Sequence, residues 1–319
     1  MLAGVAAALG AGLLWGLVFL TPLLLADYPP FMLAIGRYLA FGVLAAGLAW
    51  FDRDALARLT RRDWIEAAKL AVIGNLLYYT TLASAIQLAG APVPALIIGT
   101  LPVVIAITAN VLDRQRGSGE DSVPWARLSA PLALILGGLF AVHAAGADTL
   151  PAAATTDYLL GIVSGLFALG CWTWYPIRNS RWLRARGPGQ SRAWATAQGL
   201  ATLPVALVAG LGYALWDLQF APGGGSFAWP LGPRPAFFVA MCLLLGLAAS
   251  WLGTLLWNQA SHLLPAALAG QLIVFETLSA LLYAFIWYGR WPSTSETAGI
   301  ALLIAGVIGG VRVFRPSAA

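Results

Sequence analysis

Residues 83–103 read ASAIQLAGAPVPALIIGTLPV, residues 258–278 read NQASHLLPAALAGQLIVFETL, and the second stretch can be laid on the first at a constant offset of 175. Ala85 then meets Ala260, Ala91 meets Ala266, and Leu101-Pro102 meets Glu276-Thr277. Weaker likenesses keep the same order along the chain. LLWGLVF around Trp15 resembles LGCWTWYP around Trp172, and LILGGLFAV at 134–142 shares a glycine pattern with LIAGVIGGV at 303–311. Three matches in one order point to an internal duplication, with a first unit over 1–150 and a second over 151–319.

Composition says where such units live. Of 319 residues 60% are hydrophobic and only 10% charged, with a mean hydropathy of +0.80, whereas a water-soluble domain carries roughly 25% charged residues. Apolar runs long enough for a hydrocarbon layer of about 30 Å fall at 2–25, 30–51, 63–88, 93–112, 124–143, 157–177, 192–214, 235–260, 265–288 and 295–314. All are expected as helices, because lipid offers an open backbone no partner and the alternation of a barrel strand is missing. The expected fold class is an all-α polytopic membrane protein of ten transmembrane helices, built as two five-helix repeats. Five is odd, so the second repeat enters the membrane inverted. Inverted repeats about an axis in the membrane plane place a transported solute near the midplane, at the repeat interface. Trp216, Trp229 and Trp291 sit near span ends, where amphipathic rings favour the headgroup level.

Charge sets the expected orientation. With both termini in the cytoplasm, the inner loops and tail hold Arg53, Arg58, Arg61, Arg62, Arg114, Arg116, Arg127, Arg178, Arg181, Arg184, Arg186, Arg192, Arg312 and Arg315, with Lys69 just inside a span end. The outer loops hold only Arg234 and Arg290. That is a strong positive-inside bias, and it accounts for the net charge of +5 without a nucleic-acid partner. The first span lacks a basic leader and a cleavage site and reads as a retained helix. Cys171 and Cys242 fall within spans, so free buried thiols are expected. Arginine is used almost to the exclusion of lysine, which suggests GC-rich bacterial coding and a bacterial inner membrane.

The ten spans in two fives, Trp15-Gly16 in the first span, the alanine-spaced runs leading to Pro102 and Glu276, and Arg37 in AIGRYLA together resemble the drug/metabolite transporter (DMT) superfamily in its EamA-type branch. The abundance of Trp and Tyr is most similar to the YddG-like exporters of aromatic amino acids. The resemblance covers the whole chain, and implies a cavity lined by the first, third, fourth, sixth, eighth and ninth spans. The chain departs from the family's Glu-Pro pattern, since one copy keeps only Pro102 and the other only Glu276.

Glu276 is the leading candidate, near the middle of the ninth span and alone among acids at that depth. An intramembrane charge costs at least about 2.5–3.5 kcal/mol and is by default a functional hypothesis. It suits contact with a substrate ammonium or a proton-coupling role, against a neutral bracing acid or a pair with Arg37. Arg37 lies on the second span, outside the implied lining, and reads more readily as structural. The expected substrate contacts are Trp15, Asn75, Tyr78, Tyr79, Trp172, Tyr175, Trp251, Asn258, Gln271 and Glu276. Aromatic rings with a few amides and hydroxyls suit a small amphipathic solute. Pro22, Pro102 and Pro176 are the expected hinges.

No phosphate-binding loop, GxSxG, HExxH or clustered Cys/His appears, so neither enzyme nor metal site is expected, and no cofactor. The expected function is a secondary transporter exporting small organic solutes, most of all aromatic and hydrophobic amino acids, by alternating access. A proton-coupled exporter of lipophilic cationic drugs and a passive channel are the alternatives. Small solutes and the lipid bilayer are the expected partners, with monomer and homodimer both open.

Overall fold

The computed structural model describes residues 1–89, 92–115, 124–144, 155–186, 189–220 and 227–313. Among them all regular structure is helical. In chain order the helices are α1 (Leu2–Leu24), α2 (Pro30–Leu56), α3 (Arg61–Ala89), α4 (Pro92–Gly99), α5 (Leu101–Gln115), α6 (Trp125–Ala144), α7 (Thr155–Arg184), α8 (Ser191–Phe220), α9 (Pro235–Leu263), α10 (Ala266–Leu272), α11 (Val274–Tyr288) and α12 (Thr294–Val313). Seven stretches are long and apolar enough to cross a membrane: α1, α2, α3, α7, α8, α9 and Leu268–Trp287. Shorter apolar helices occupy Leu101–Leu112, Trp125–Ala141 and Thr294–Gly310.

The ends of these helices have local causes. Pro30 and Pro235 open α2 and α9 at first-turn positions, where the missing N–H is no loss. Thr60 and Asp63 close a reciprocal capping box on α3, giving its first amides partners. Gly289, at φ 59°, ends α11 in the left-handed conformation that glycine adopts without strain.

Several helices outrun their hydropathy. The second, sixth and seventh spans were expected to stop at 51, 177 and 214, yet α2, α7 and α8 continue to Leu56, Arg184 and Phe220. The extra turns of α2 and α7 are polar and meet α3 and α8 through ion pairs. Arg178 makes a two-point contact with Glu66, Arg186 pairs with Asp63, and Arg192 meets Asp52 at 2.7 Å. Residues 52–66 are thereby tied to residues 178–192 at one end of the bundle. At the other end Arg234 grips Asp27 and the Leu24 carbonyl, holding the Asp27 carboxyl below the usual carboxylate range. Of the basic positions expected inside, Arg116 and Arg315 lie outside the described residues, as does the expected 150/151 unit boundary.

Two further features were not legible as spans. The expected fourth and ninth spans, 93–112 and 265–288, are each two pieces: α4 and α5 part at Thr100, α10 and α11 at Ile273. Pro102 falls in the first turn of α5, a break already made, while Pro22 and Pro176 stand inside α1 and α7. Second, α3 and α9 each widen into eight residues of π-helix, Leu70–Leu77 and Leu245–Leu252, which lie 175 residues apart.

Packing places α1 against α11 and the end of α9, the end of α3 against α7, α2 along α8, and α5 along α10. Cys171 and Cys242 are free and buried. Outside this core, α6 and α12 lie backbone to backbone. A Cβ on Gly138 would fall 2.7 Å from the Gly299 carbonyl, and one on Gly306 2.9 Å from that of Pro131, whereas one on Gly137 meets nothing within 4 Å. Close approach through small residues is the usual way apolar helices associate in lipid. Gly138→Leu should therefore lower stability by about 1–3 kcal/mol while Gly137→Leu leaves it near the wild-type value. Thermal unfolding of both variants in one detergent would check this.

Candidate functional site

Where α1, α2, α3, α7, α9 and α11 converge, a small closed cavity is lined by Trp15, Val18, Arg37, Tyr38, Asn75, Tyr78, Trp172, Ala249, Ser250, Thr254 and Glu276. Its volume is only about 10 Å³, room for about one water. The residues come from both 1–150 and 151–319.

Local structure explains how each arrives. Gly12 and Gly16 let α1 lie directly on the backbone around Glu276 and Ser279, which sets Trp15 facing inward. Its indole N–H donates to the Ala249 carbonyl at 2.9 Å, and Gly253 leaves room for the ring. The π-helical stretches bring Asn75 from α3 and Ser250 from α9 to the same wall. Wide turns of this kind shift side-chain register locally and are frequent at functional sites. Glu276 stands in the first turn of α11, where its backbone N–H donates to the Ile273 carbonyl at 2.8 Å.

The rings form a continuous cluster. Trp172 stacks on Tyr78 at 4.6 Å and on Tyr175 at 4.8 Å, and Trp15 meets Trp172 edge-on at 5.1 Å and Trp257 at 5.3 Å. Arg37 is 5% exposed, donates from Nε to Ser250 Oγ at 2.9 Å, and lies over Tyr79 at 4.6 Å and Tyr38 at 5.0 Å. Glu276 is 3% exposed, with the Trp172 indole N–H and the Arg37 charge nearby. Arg37 Nη1, Glu276 Oε2 and the Tyr78 hydroxyl make no hydrogen bond within the protein. So many buried orphan groups at one place are uncommon in a folded interior.

Of the expected contacts, Trp15, Asn75, Tyr78, Trp172 and Glu276 line the cavity, and Tyr79 and Tyr175 pack directly behind it. The other three lie elsewhere. Trp251 points its indole to Thr196 on α8 at 3.5 Å, Asn258 is fully buried in a hydrogen-bonded network, and Gln271 packs against Gly310 of α12. Arg37, read from sequence as structural because it sits on the second helix, is in the cavity wall. Its signal was present: an arginine within an apolar span carries the same cost as Glu276. A larger groove of about 620 Å³ between α1, α11 and α12 is nearly all apolar, with Ser279 and Arg290 the polar side chains among its lining.

Residues 2–116 match the EamA-like transporter family. Over 313 residues the chain is 45% identical to "Inner membrane protein YtfF" of Escherichia coli (strain K12), covering 98% of this chain and 96% of that protein. The chain belongs to the EamA-like transporter family. It is a membrane transporter of the EamA type, a multi-pass protein of the inner membrane, in a family of transporters and not of enzymes. A solved crystal structure shares the fold, with a TM-score of 0.72 over 98% of this chain and 99% of that one at 19% identity.

In this EamA-type transporter a buried polar network lies behind the cavity, beyond Tyr175. Asn179, fully buried, donates to Asn258 Oδ1 at 2.8 Å and accepts from Trp194 Nε1 at 2.8 Å and Gln198 Nε2 at 3.2 Å. Gln198 accepts from the Tyr175 hydroxyl at 2.7 Å, and Asn258 donates to the Ser191 carbonyl at 3.1 Å. This network separates the cavity from the ion-paired end. Asn179→Ala orphans three buried groups at about 1–3 kcal/mol each and should lower the unfolding temperature by several degrees more than Asn75→Ala, whose single bond to Thr202 is long at 3.4 Å.

Proposed function

We propose that this transporter exports small amphipathic solutes, aromatic and other hydrophobic amino acids foremost, by alternating access around the closed cavity. The observation that carries the reading is a shared wall: stacked aromatic rings with one buried base and one buried acid, contributed by both 1–150 and 151–319. A bulky apolar side chain would lie against Trp15 and Trp172. With room now for about one water, a solute enters only when rings and helices move apart, so the cavity as seen is occluded.

The two segments 1–150 and 151–319 act, in this reading, as inverted five-helix repeats, ten spans in all. The paired π-helical stretches at one offset and the matching breaks at Thr100 and Ile273 support the duplication. Both termini would face the cytoplasm by the positive-inside rule. That puts the ion-paired end, with Asp52, Asp63 and Glu66 bound to Arg192, Arg186 and Arg178, on the cytoplasmic side. Opening inward must break those pairs, and opening outward must part the Asp27–Arg234 contact. Pro22 and Pro176, inside α1 and α7, are the proposed flexing points, and Pro102 marks the break in the fourth span. Glu276 is the proposed proton-coupling residue if export draws on a proton gradient. The Arg37 guanidinium beside it weighs against a site made for lipophilic cations, and the occluded cavity weighs against a passive channel.

The test is counterflow. Proteoliposomes loaded with unlabelled Phe at symmetric pH should transiently accumulate labelled Phe, and Trp172→Ala should cut that accumulation at least about tenfold by removing two stacked contacts. Vesicles holding folded protein that show no accumulation of labelled Phe or Trp would remove amino acids from the reading.

A further inference from the structure

Two buried side chains of opposite charge share the cavity, and each is held at one place and open at another. Arg37 is fixed through Nε to Ser250 and by the faces of Tyr38 and Tyr79, yet its Nη1 has no acceptor. Glu276 has its backbone fixed in α11 by the close passage of Gly12, yet its Oε2 makes no hydrogen bond within the protein. A buried ion pair kept only for stability would spend its hydrogen-bonding groups on each other and on neighbours. Here Arg37 Nη1 and Glu276 Oε2, on two side chains that line one cavity, are the groups left over, and unmade bonds in a buried interior are costly.

We infer that Arg37 and Glu276 form a dipolar site for a free α-amino acid, with Arg37 receiving the carboxylate and Glu276 the ammonium. This rests on the proposal that the cavity carries amphipathic solutes, and names the headgroup it selects. A guanidinium presents parallel N–H donors that match a carboxylate, and one already oriented by Ser250 loses little freedom on binding. The ammonium finds a carboxylate with an unused oxygen, close to Trp172 and the Tyr78 ring stacked on it. The two anchors stand on α2 and α11, so a bound zwitterion bridges 1–150 and 151–319 and draws them together. A solute with one charge satisfies one anchor and leaves the other orphaned, which is how a buried polar site rejects a near-isostere.

The experiment sets three solutes of one size against labelled Phe in counterflow: unlabelled Phe, phenethylamine without the carboxylate, and 3-phenylpropanoate without the ammonium. In the unaltered protein both single-charge solutes should compete at least about tenfold more weakly than Phe. Arg37→Gln should erase the preference for Phe over phenethylamine and keep that over 3-phenylpropanoate. Glu276→Gln should do the reverse, and Arg37→Lys should restore part of the first preference. Variants that slow transport while both preferences stand would assign the two residues to packing and overturn the inference. The series on the unaltered protein decides the matter even where a variant does not fold: Phe carried with no preference over either analogue overturns the dipolar site alone. Vesicles of folded protein that carry no Phe overturn the transport proposal and the dipolar site together.

Discussion

A guanidinium and a carboxyl enclosed in one small space, inside a bundle whose outside is hydrocarbon, set the terms for everything around them. Neither charge is tolerated at that depth without company, and both are buried. The surrounding helices supply the company in an unusual form. Ser250 and two tyrosine faces hold the arginine, the Arg37 charge and the Trp172 indole stand beside the glutamate, and a wall of stacked indoles and phenols closes the space. To bring six helices to one point, α1 needs Gly12 and Gly16 against α11, and α3 and α9 need wide turns. The cavity is thus a consequence of close backbone approach as much as of the side chains that line it.

Beyond the cavity, polarity is graded toward one end. The network centred on Asn179 lies next, fully bonded and dry, and the arginine–carboxylate pairs of α2, α3, α7 and α8 lie beyond it. Fully satisfied networks specify one geometry and resist deformation. The pair α6 and α12 stands apart from this gradient, joined through glycine contacts and contributing no side chain to the cavity wall. One part of the molecule is therefore built to be rigid and another to be close-packed yet separable from the site.

Much of this was legible in the sequence because lipid imposes a strong code. Apolar runs marked the helical stretches among the described residues, and isolated intramembrane residues such as Trp15, Asn75 and Glu276 turn up in the cavity wall. What was missed has physical reasons. Hydropathy stops at the first charge, but the helix does not, since the backbone of α7 keeps its hydrogen bonds through Arg178 and Arg184 while their side chains find partners across the bundle. Trp251 and Asn258 share α9 with cavity residues and Gln271 precedes Glu276 on α10, and the π-helical stretch in α9 and the break at Ile273 alter the register on which an ideal helix face depends. Arg37 was set aside because its helix was not among those implied to line a cavity, when the cost of burying its own charge was the stronger argument.

The widened turns carry a consequence for the chain's tolerance of length changes. A π turn holds more residues than an α turn, so the stretches Leu70–Leu77 and Leu245–Leu252 behave as places where residues have been accommodated without breaking the helix. Removing one residue from either would let that turn close to α geometry and leave what lies beyond near its present facing, whereas the same deletion in a regular α turn of α3 or α9 would rotate everything beyond by about 100°. Tyr78 and Tyr79 on α3, and Thr254 on α9, would keep to the cavity side in the first case and leave it in the second, with no substitution anywhere in the wall. Single-residue deletions inside and outside these eight-residue windows are thus different kinds of event. The first tightens a turn, and the second re-aims a helix.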